Sequence, residues 1–217
     1  MTFILGLTGS IGMGKSATAG LFRELGVPVH DADASVHALY RGRAAPLIDA
    51  AFPGTVVDGV VDRVRLGDRV LGQPAELRRL EAIVHPLVRA EKVAFLRESV
   101  ARGRPLAVLD VPLLFETGGE RRCDAVVTVT ASAEVQRARV LARPGMTSGK
   151  LGQILAKQVP DAEKRRRSHF LVDTGSGFPR ARAQVSGIVR ALAGRPGRFL
   201  AGQRPGHEAE TSPGPSA

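Results

Sequence analysis

Gly9-Ser10-Ile11-Gly12-Met13-Gly14-Lys15-Ser16 decides the reading of this chain. An apolar run, Phe3-Ile4-Leu5-Gly6-Leu7, precedes it, and Ala17 to Leu25 follow with Leu21, Phe22 and Leu25 at helical spacing. Strand, glycine-rich turn, Lys-Ser and helix is the order of a phosphate-binding loop. Glycine lets successive backbone N–H groups turn inward around an anion, because no Cβ obstructs the turn. The helix that starts near Lys15 directs its unpaired N–H groups and positive dipole end at the same point. Gly9, Gly12, Met13, Gly14, Lys15, Ser16 and Ala17 are therefore the expected ATP-binding residues. Lys15 reaches the outer phosphates, and the Ser16 hydroxyl is a ligand for Mg²⁺.

The same residues admit a rival. Gly12-x-Gly14-x-x-Ala17, with Asp31 or Asp33 about twenty residues on, also fits a dinucleotide fingerprint. Gly9 at the correct spacing, and a Lys-Ser pair at the helix start, favour a triphosphate with Mg²⁺.

Composition agrees with a soluble globular protein: 217 residues, 43% hydrophobic and 24% charged. No run has the length of a membrane span, and the first residues lack the basic segment of a signal peptide. Cys123 is the single cysteine, so an internal disulfide is excluded. The expected location is the cytoplasm, with no membrane partner. A net charge of +10 suits polyanions, either nucleic acid or phosphorylated small molecules. One tyrosine and no tryptophan leave little aromatic surface for stacking single strands. No nucleic-acid partner is expected.

Further along, Gly26 suits a helix end, and Val27-Pro28-Val29-His30 reads as a second strand closing in Asp31-Ala32-Asp33. A helix is expected over Ala34 to Tyr40. At the C-terminal end of a strand, Asp33 can orient a hydroxyl or take its proton, or it can simply cap that helix. From Arg41 to about Gly103 the pattern turns helical. Short helices are expected over 46–52 and 66–71, a turn at Asp58-Gly59, and a helix over 75–84. His85-Pro86 should interrupt before a second helix over 87–101. This insertion is the expected acceptor-binding part, with Arg63, His85 and Arg89 as its polar residues of interest.

Pro105 to Asp110 resumes the sheet and ends as a Walker-B strand does, with Asp110 as the expected Mg²⁺-ordering carboxylate. Asp124 to Val129 is a buried strand, followed by a helix over 133–142. Arg143-Pro144-Gly145-Met146 breaks it, and another helix is expected over 148–159. Arginines at such a joint suit a lid that neutralises charge on a transferring phosphoryl group, which makes Arg139 and Arg143 candidates. Lys164 to Arg167 reads as a solvated basic face. A last strand over 170–173 and a helix over 181–192 close the fold. From Gly194 onward Gly, Pro and Ser dominate, and a disordered tail over 194–217 is expected.

Taken in order, these segments resemble the dephospho-coenzyme A kinase family over about residues 3 to 192. The resemblance is carried by Leu7 to Ser16, Asp31-Ala32-Asp33, Leu80-Glu81-Ala82-Ile83-Val84-His85-Pro86-Leu87-Val88 and Asp110-Val111-Pro112-Leu113-Leu114-Phe115-Glu116. Gln136, Arg139, Arg143, Ile154 and Gln158 complete it. The chain departs from the family pattern in Ser168-His169, where Ala-Asp is common. It departs again in Thr174-Gly175-Ser176-Gly177, where Asn-x-Gly stands near the adenine.

The resemblance implies an α/β P-loop kinase fold with a five-stranded parallel sheet in order 2-3-1-4-5. It implies a core over 1–40 and 104–193, a lid at about 139–158 and a helical CoA domain over 41–103. The implied reaction moves the γ-phosphoryl group of ATP to the ribose 3′-hydroxyl of dephospho-CoA, with Mg²⁺ as cofactor; separately from the resemblance, a monomer or weak homo-oligomer is expected. Asp33 would be the base or orienter, with Lys15, Arg139 and Arg143 as its catalytic companions. Acceptor contacts would come from Asp33, Arg63, His85, Arg89, Pro112 and Leu113. A nucleoside monophosphate kinase is the runner-up. A switch GTPase lacks support, since no Asn/Thr-Lys-x-Asp motif occurs.

Overall fold

The computed structural model describes residues 1–198. Its centre is strand β1 (Phe3–Thr8), all six residues of which are buried. β1 runs between β5 (Leu106–Asp110) and β6 (Ala125–Thr130), and all three are parallel. β2 (Val29–Asp31) lies outside β5 and β7 (Phe170–Asp173) outside β6, again parallel. The sheet order is β2-β5-β1-β6-β7. Counting only these five strands along the chain, that is 2-3-1-4-5, as the resemblance implied. Burial on both faces explains why β1, β5 and β6 read as continuous apolar runs.

Alternation along the strands divides the core between two faces. Phe3, Leu5, Leu7, Val108 and Val127 pack with Leu21 and Phe22 of α1 (Lys15–Glu24) and with Val185 and Ile188 of α9 (Phe178–Leu192). Ile4, Ala107, Leu109 and Val126 point the other way, toward Leu96, Leu114 and Phe115. A third cluster forms inside the helical insertion. There Leu39 of α2 (Ala32–Tyr40), Ile48 of α3 (Ala45–Ala51) and Leu66 of α4 (Arg63–Val70) meet Leu80 and Val84 of α5 (Pro74–Ala101). A small hairpin, β3 (Val56–Val57) and β4 (Val60–Val61), turns at Asp58 and Gly59, both with positive φ.

Three expectations change. The two helices separated at His85-Pro86 are one: α5 spans Pro74–Ala101 with Pro86 inside it. Proline removes one N–H and crowds the carbonyl of Ala82, but the helix is held on both sides of it. Leu80 and Val84 belong to the insertion's core, and Leu96 to the sheet's. The basic run is a solvated face at Arg165, Arg166 and Arg167 but not at Lys164. α8 (Asp161–Arg167) directs Lys164 inward with no exposure at all. Finally, 194–198 is docked onto the sheet's base rather than disordered: Arg198 Nε donates to Asp124 Oδ1 at 2.9 Å. The rest of the expected tail, 199–217, lies outside the described residues. Among the described residues no helix is long and apolar enough to cross a membrane.

Candidate active site

The loop after β1 needs its glycines. Gly12 and Gly14 have φ of 79° and 89°, which other L-residues rarely adopt. At Gly12 a Cβ would also meet Val140 Cγ2 at 2.5 Å. Gly14 precedes α1, whose first residues are Lys15 and Ser16, so the N–H groups of the first turn open toward the loop. Met13 is buried beneath the loop, while Ser16 and Ala17 are exposed at its rim.

Lys15 Nζ pairs with Asp110 Oδ1 at 2.5 Å. Asp110 ends β5 in register with Leu7 on one side and Asp31 on the other. It is almost wholly buried. Burial raises its carboxyl above the usual range and Asp31 adds to that, while Lys15 pulls it back. The strand ends therefore bring Lys15, Asp110 and Asp31 together. Asp110 and Ser16 are hard oxygen donors of the kind Mg²⁺ takes. Among the described residues no group of three or more His, Cys, Asp or Glu is placed to hold a metal by itself, so phosphate oxygens would have to complete the shell.

The capping role considered for Asp33 falls to its neighbour. Asp31 is the N-cap of α2 and accepts from Ala34 N at 2.9 Å. Asp33 sits in the first turn, exposed, and is not needed for the cap. β2 is thus followed at once by a helix whose free carboxylate stands at the sheet's C-terminal edge, where ligands bind in parallel sheets.

The helices expected to form a lid are α6 (Ala133–Leu141) and α7 (Ser148–Ala156), the second shorter than expected because Lys157 caps it. Arg143 is exposed at their joint. Arg139 is instead engaged with the loop after β7: Nη1 donates to Thr174 Oγ1 at 2.8 Å and Nη2 to Thr174 O at 2.9 Å. Thr174 Oγ1 in turn donates to Met13 O at 2.8 Å. The departing loop is ordered without an asparagine. Asp173 accepts from Gly175 N and Ser176 Oγ, and these bonds hold its carboxyl below the ordinary range. Ser168-His169 also has a structural use. Ser168 Oγ bonds Thr128 Oγ1 at 2.6 Å, and His169 Nδ1 accepts from Val126 N.

The acceptor candidates are more scattered. Arg63 meets His37 at 3.1 Å, while His85 and Arg89 are exposed on α5. Pro112 and Leu113 follow Asp110; Pro112 O accepts from Thr8 Oγ1 at 3.0 Å. Their side chains do not converge through any hydrogen bond or ion pair, in contrast to the phosphate-loop residues.

Sequence reasoning missed two features. Lys164 Nζ forms a buried ion pair with Glu116 Oε1 at 2.8 Å, and that oxygen also accepts from Val159 N. Burial raises the Glu116 carboxyl, but Lys164 and the backbone donors outweigh it and hold the group below its usual value. Gln136 and Gln158 both contact the phosphate loop. The invisible partner in each case is remote in sequence, and in the second it is main chain.

This geometry accords with what the chain is similar to. A family profile described as dephospho-CoA kinase matches residues 3–179. The dephospho-CoA kinase of Mesorhizobium japonicum is 66% identical over 194 residues, 89% of this chain and 98% of that protein. Its counterpart in Rhodopseudomonas palustris strain BisB18 is 60% identical over 195 residues, 90% and 98% of the two chains. A crystal structure from Thermus thermophilus superposes with a TM-score of 0.74 at 37% identity, covering 88% of this chain and 97% of that one. A dephospho-CoA kinase from Campylobacter jejuni shares the fold, with a TM-score of 0.62 at 19% identity and 88% and 97% coverage. With sequence likeness running through both the glycine loop and the helical insertion, this chain belongs to the dephospho-CoA kinase family.

Proposed function

We infer that the chain transfers the γ-phosphoryl group of ATP to the ribose 3′-hydroxyl of dephospho-CoA, giving coenzyme A and ADP, the last step of CoA biosynthesis. The observation that carries this is near-full-length identity of 57–66% to dephospho-CoA kinases, joined to a formed phosphate loop. The acceptor oxygen bonds to the γ-phosphorus as the bond from that phosphorus to the β–γ bridging oxygen breaks. The acceptor's proton leaves toward a carboxylate.

Each residue has a place in that chemistry. The backbone from Gly9 to Ala17 receives the phosphates, and Lys15 exchanges its Asp110 partner for the outer phosphate oxygens when nucleotide enters. Asp33, exposed and relieved of capping, orients the 3′-hydroxyl and takes its proton. Ser16 and Asp110 would hold Mg²⁺, which neutralises phosphate charge when bound. Arg143 is free to swing toward the transferring group, and Arg139 joins it only by releasing Thr174. Arg63, His85 and Arg89 offer positive charge and donors to the acceptor's phosphates, with Pro112 and Leu113 against its apolar parts. The small, charged substrates suit a cytoplasmic enzyme.

The test is product formation. Incubation with ATP, Mg²⁺ and dephospho-CoA should yield ADP and a product heavier by one phosphoryl group on the ribose. Phosphorylation of nucleoside monophosphates with dephospho-CoA left untouched would refute the reading.

A further inference from the structure

Ile11 lies within the phosphate loop, yet both of its main-chain polar groups are engaged from outside it. Its N–H donates to Gln158 Oε1 at 3.2 Å. Its C=O accepts from Gln136 Nε2 at 2.8 Å. The two amides come from different places: Gln136 from α6, where it is buried, and Gln158 from the segment between α7 and α8. Main chain also settles which end of each amide faces the loop, since N–H only donates and C=O only accepts.

Gln158 is itself anchored. The next residue, Val159, donates its N–H to Glu116 Oε1 at 2.8 Å, the oxygen that pairs with buried Lys164. Glu116 ends the stretch that begins after Asp110 and contains Pro112 and Leu113. A continuous set of bonds thus runs from the acceptor-side loop through Glu116, Val159 and Gln158 to Ile11. The buried Gln136 and the opposed hydrogen-bond senses leave Ile11 little freedom to rotate its peptides.

We propose that Gln136 and Gln158 are positioning residues: together they clamp Ile11 and hold the phosphate loop in its anion-receiving shape, and Gln158 ties that shape to the Val111–Glu116 loop. The acceptor half of this proposal rests on the activity inferred above; the nucleotide half rests on the loop alone.

Binding of a fluorescent ADP analogue with Mg²⁺, without acceptor, tests it, using Q136M, Q158M, Q136E and Q158E. Each methionine variant loses one hydrogen bond and should bind about fivefold to tenfold more weakly. Both glutamates add the same charge beside the same residue, so net charge cancels in their comparison and what remains is the sense of the bond together with the deeper burial of Gln136. Q158E keeps an acceptor for the Ile11 N–H, whereas Q136E sets a carboxylate against a carbonyl. Q136E should therefore bind at least about tenfold more weakly than Q158E. Equal affinities would overturn the clamp. If the Q136 variants do not fold, amide exchange at Ile11 decides: faster in Q158M and near wild type in Q158E supports the clamp, and equal rates in the two overturn it. In steady state Q158M should raise the KM for both substrates, and Q136M that for ATP alone. Wild-type inactivity on dephospho-CoA with the expected nucleotide pattern would remove the inferred acceptor and leave the clamp standing. An active wild type with four equal variants would do the reverse.

Discussion

The phosphate-loop region and the helical insertion are built on opposite plans. Around the loop, polar groups are buried, paired and tied to distant chain segments: Lys15 to Asp110, Thr174 to Met13, Lys164 to Glu116. In the insertion, an apolar cluster of Leu39, Ile48, Leu66 and Leu80 carries the structure, and Arg63, His85 and Arg89 stand on its surface. The first plan makes geometry and stability inseparable. The second lets contact residues change with little cost to folding. A triphosphate whose charge must be met by fixed donors suits the first. The extended, flexible acceptor proposed for the insertion suits the second.

Substitutions can break this contrast. The greatest effect is expected from Asp33→Asn. It should lower kcat by about 10²–10⁴-fold with ATP affinity and melting temperature unchanged, because Asp33 is exposed and Asp31 supplies the cap. Unchanged turnover would remove Asp33 from catalysis. Next come the two halves of the buried pair. Glu116→Gln leaves the Lys164 ammonium in the interior uncompensated and should cost about 3–5 kcal/mol. Lys164→Met should cost less, since Glu116 retains some exposure and the Val159 N–H. Denaturant unfolding of the two variants gives the ranking, and the reverse order would contradict it.

On the other side of the comparison, Arg89→Ala should leave the unfolding free energy within about 1 kcal/mol of wild type while raising the KM for dephospho-CoA and sparing that for ATP. A fall in stability comparable to Glu116→Gln would erase the distinction between the regions. The smallest effect is at the seam. His30 is buried, with its ring centroid 5.2 Å from that of Phe95. Burial and then Lys92 lower its pKa, while Asp31 and Glu91 oppose them more weakly. The fold favours the neutral ring, so its contribution is intact above the ordinary histidine value of 6.5. It is lost as pH falls below that value toward the lowered one. His30→Phe should abolish that part of the acid dependence, measured by thermal unfolding between neutral pH and pH about 5.

The same contrast explains what could be read in advance. Phosphate-loop chemistry is local: Gly12, Gly14, Lys15 and Ser16 are neighbours, and the apolar runs of β1, β5 and β6 announce a sheet buried on both faces. The strand order followed once the family resemblance was joined to them. Lys164 was opaque because nothing near it in a Lys-Arg-Arg-Arg run marks the one side chain that turns inward. Its partner lies on another element. Pro86 misled because proline's local preference was overruled by packing at both ends of α5. Arg139 was legible as a residue of the site but not in its bonds, since Thr174 belongs to a loop that departs from the family pattern.

That long helix has a mechanical consequence. At 28 residues α5 is about 42 Å long, and it is a member of two hydrophobic cores at once. The insertion is therefore not hung from the sheet by flexible strings but mounted on a beam whose lower end is built into the sheet. A rocking of the insertion must either bend that beam or shear one of the cores, and Pro86 is where the main-chain bonding is already interrupted. That gap alone does not make a hinge, because Val84 before it and Leu87 and Val88 after it pack into the same insertion core, so bending there would shear that core and the frame stays stiff.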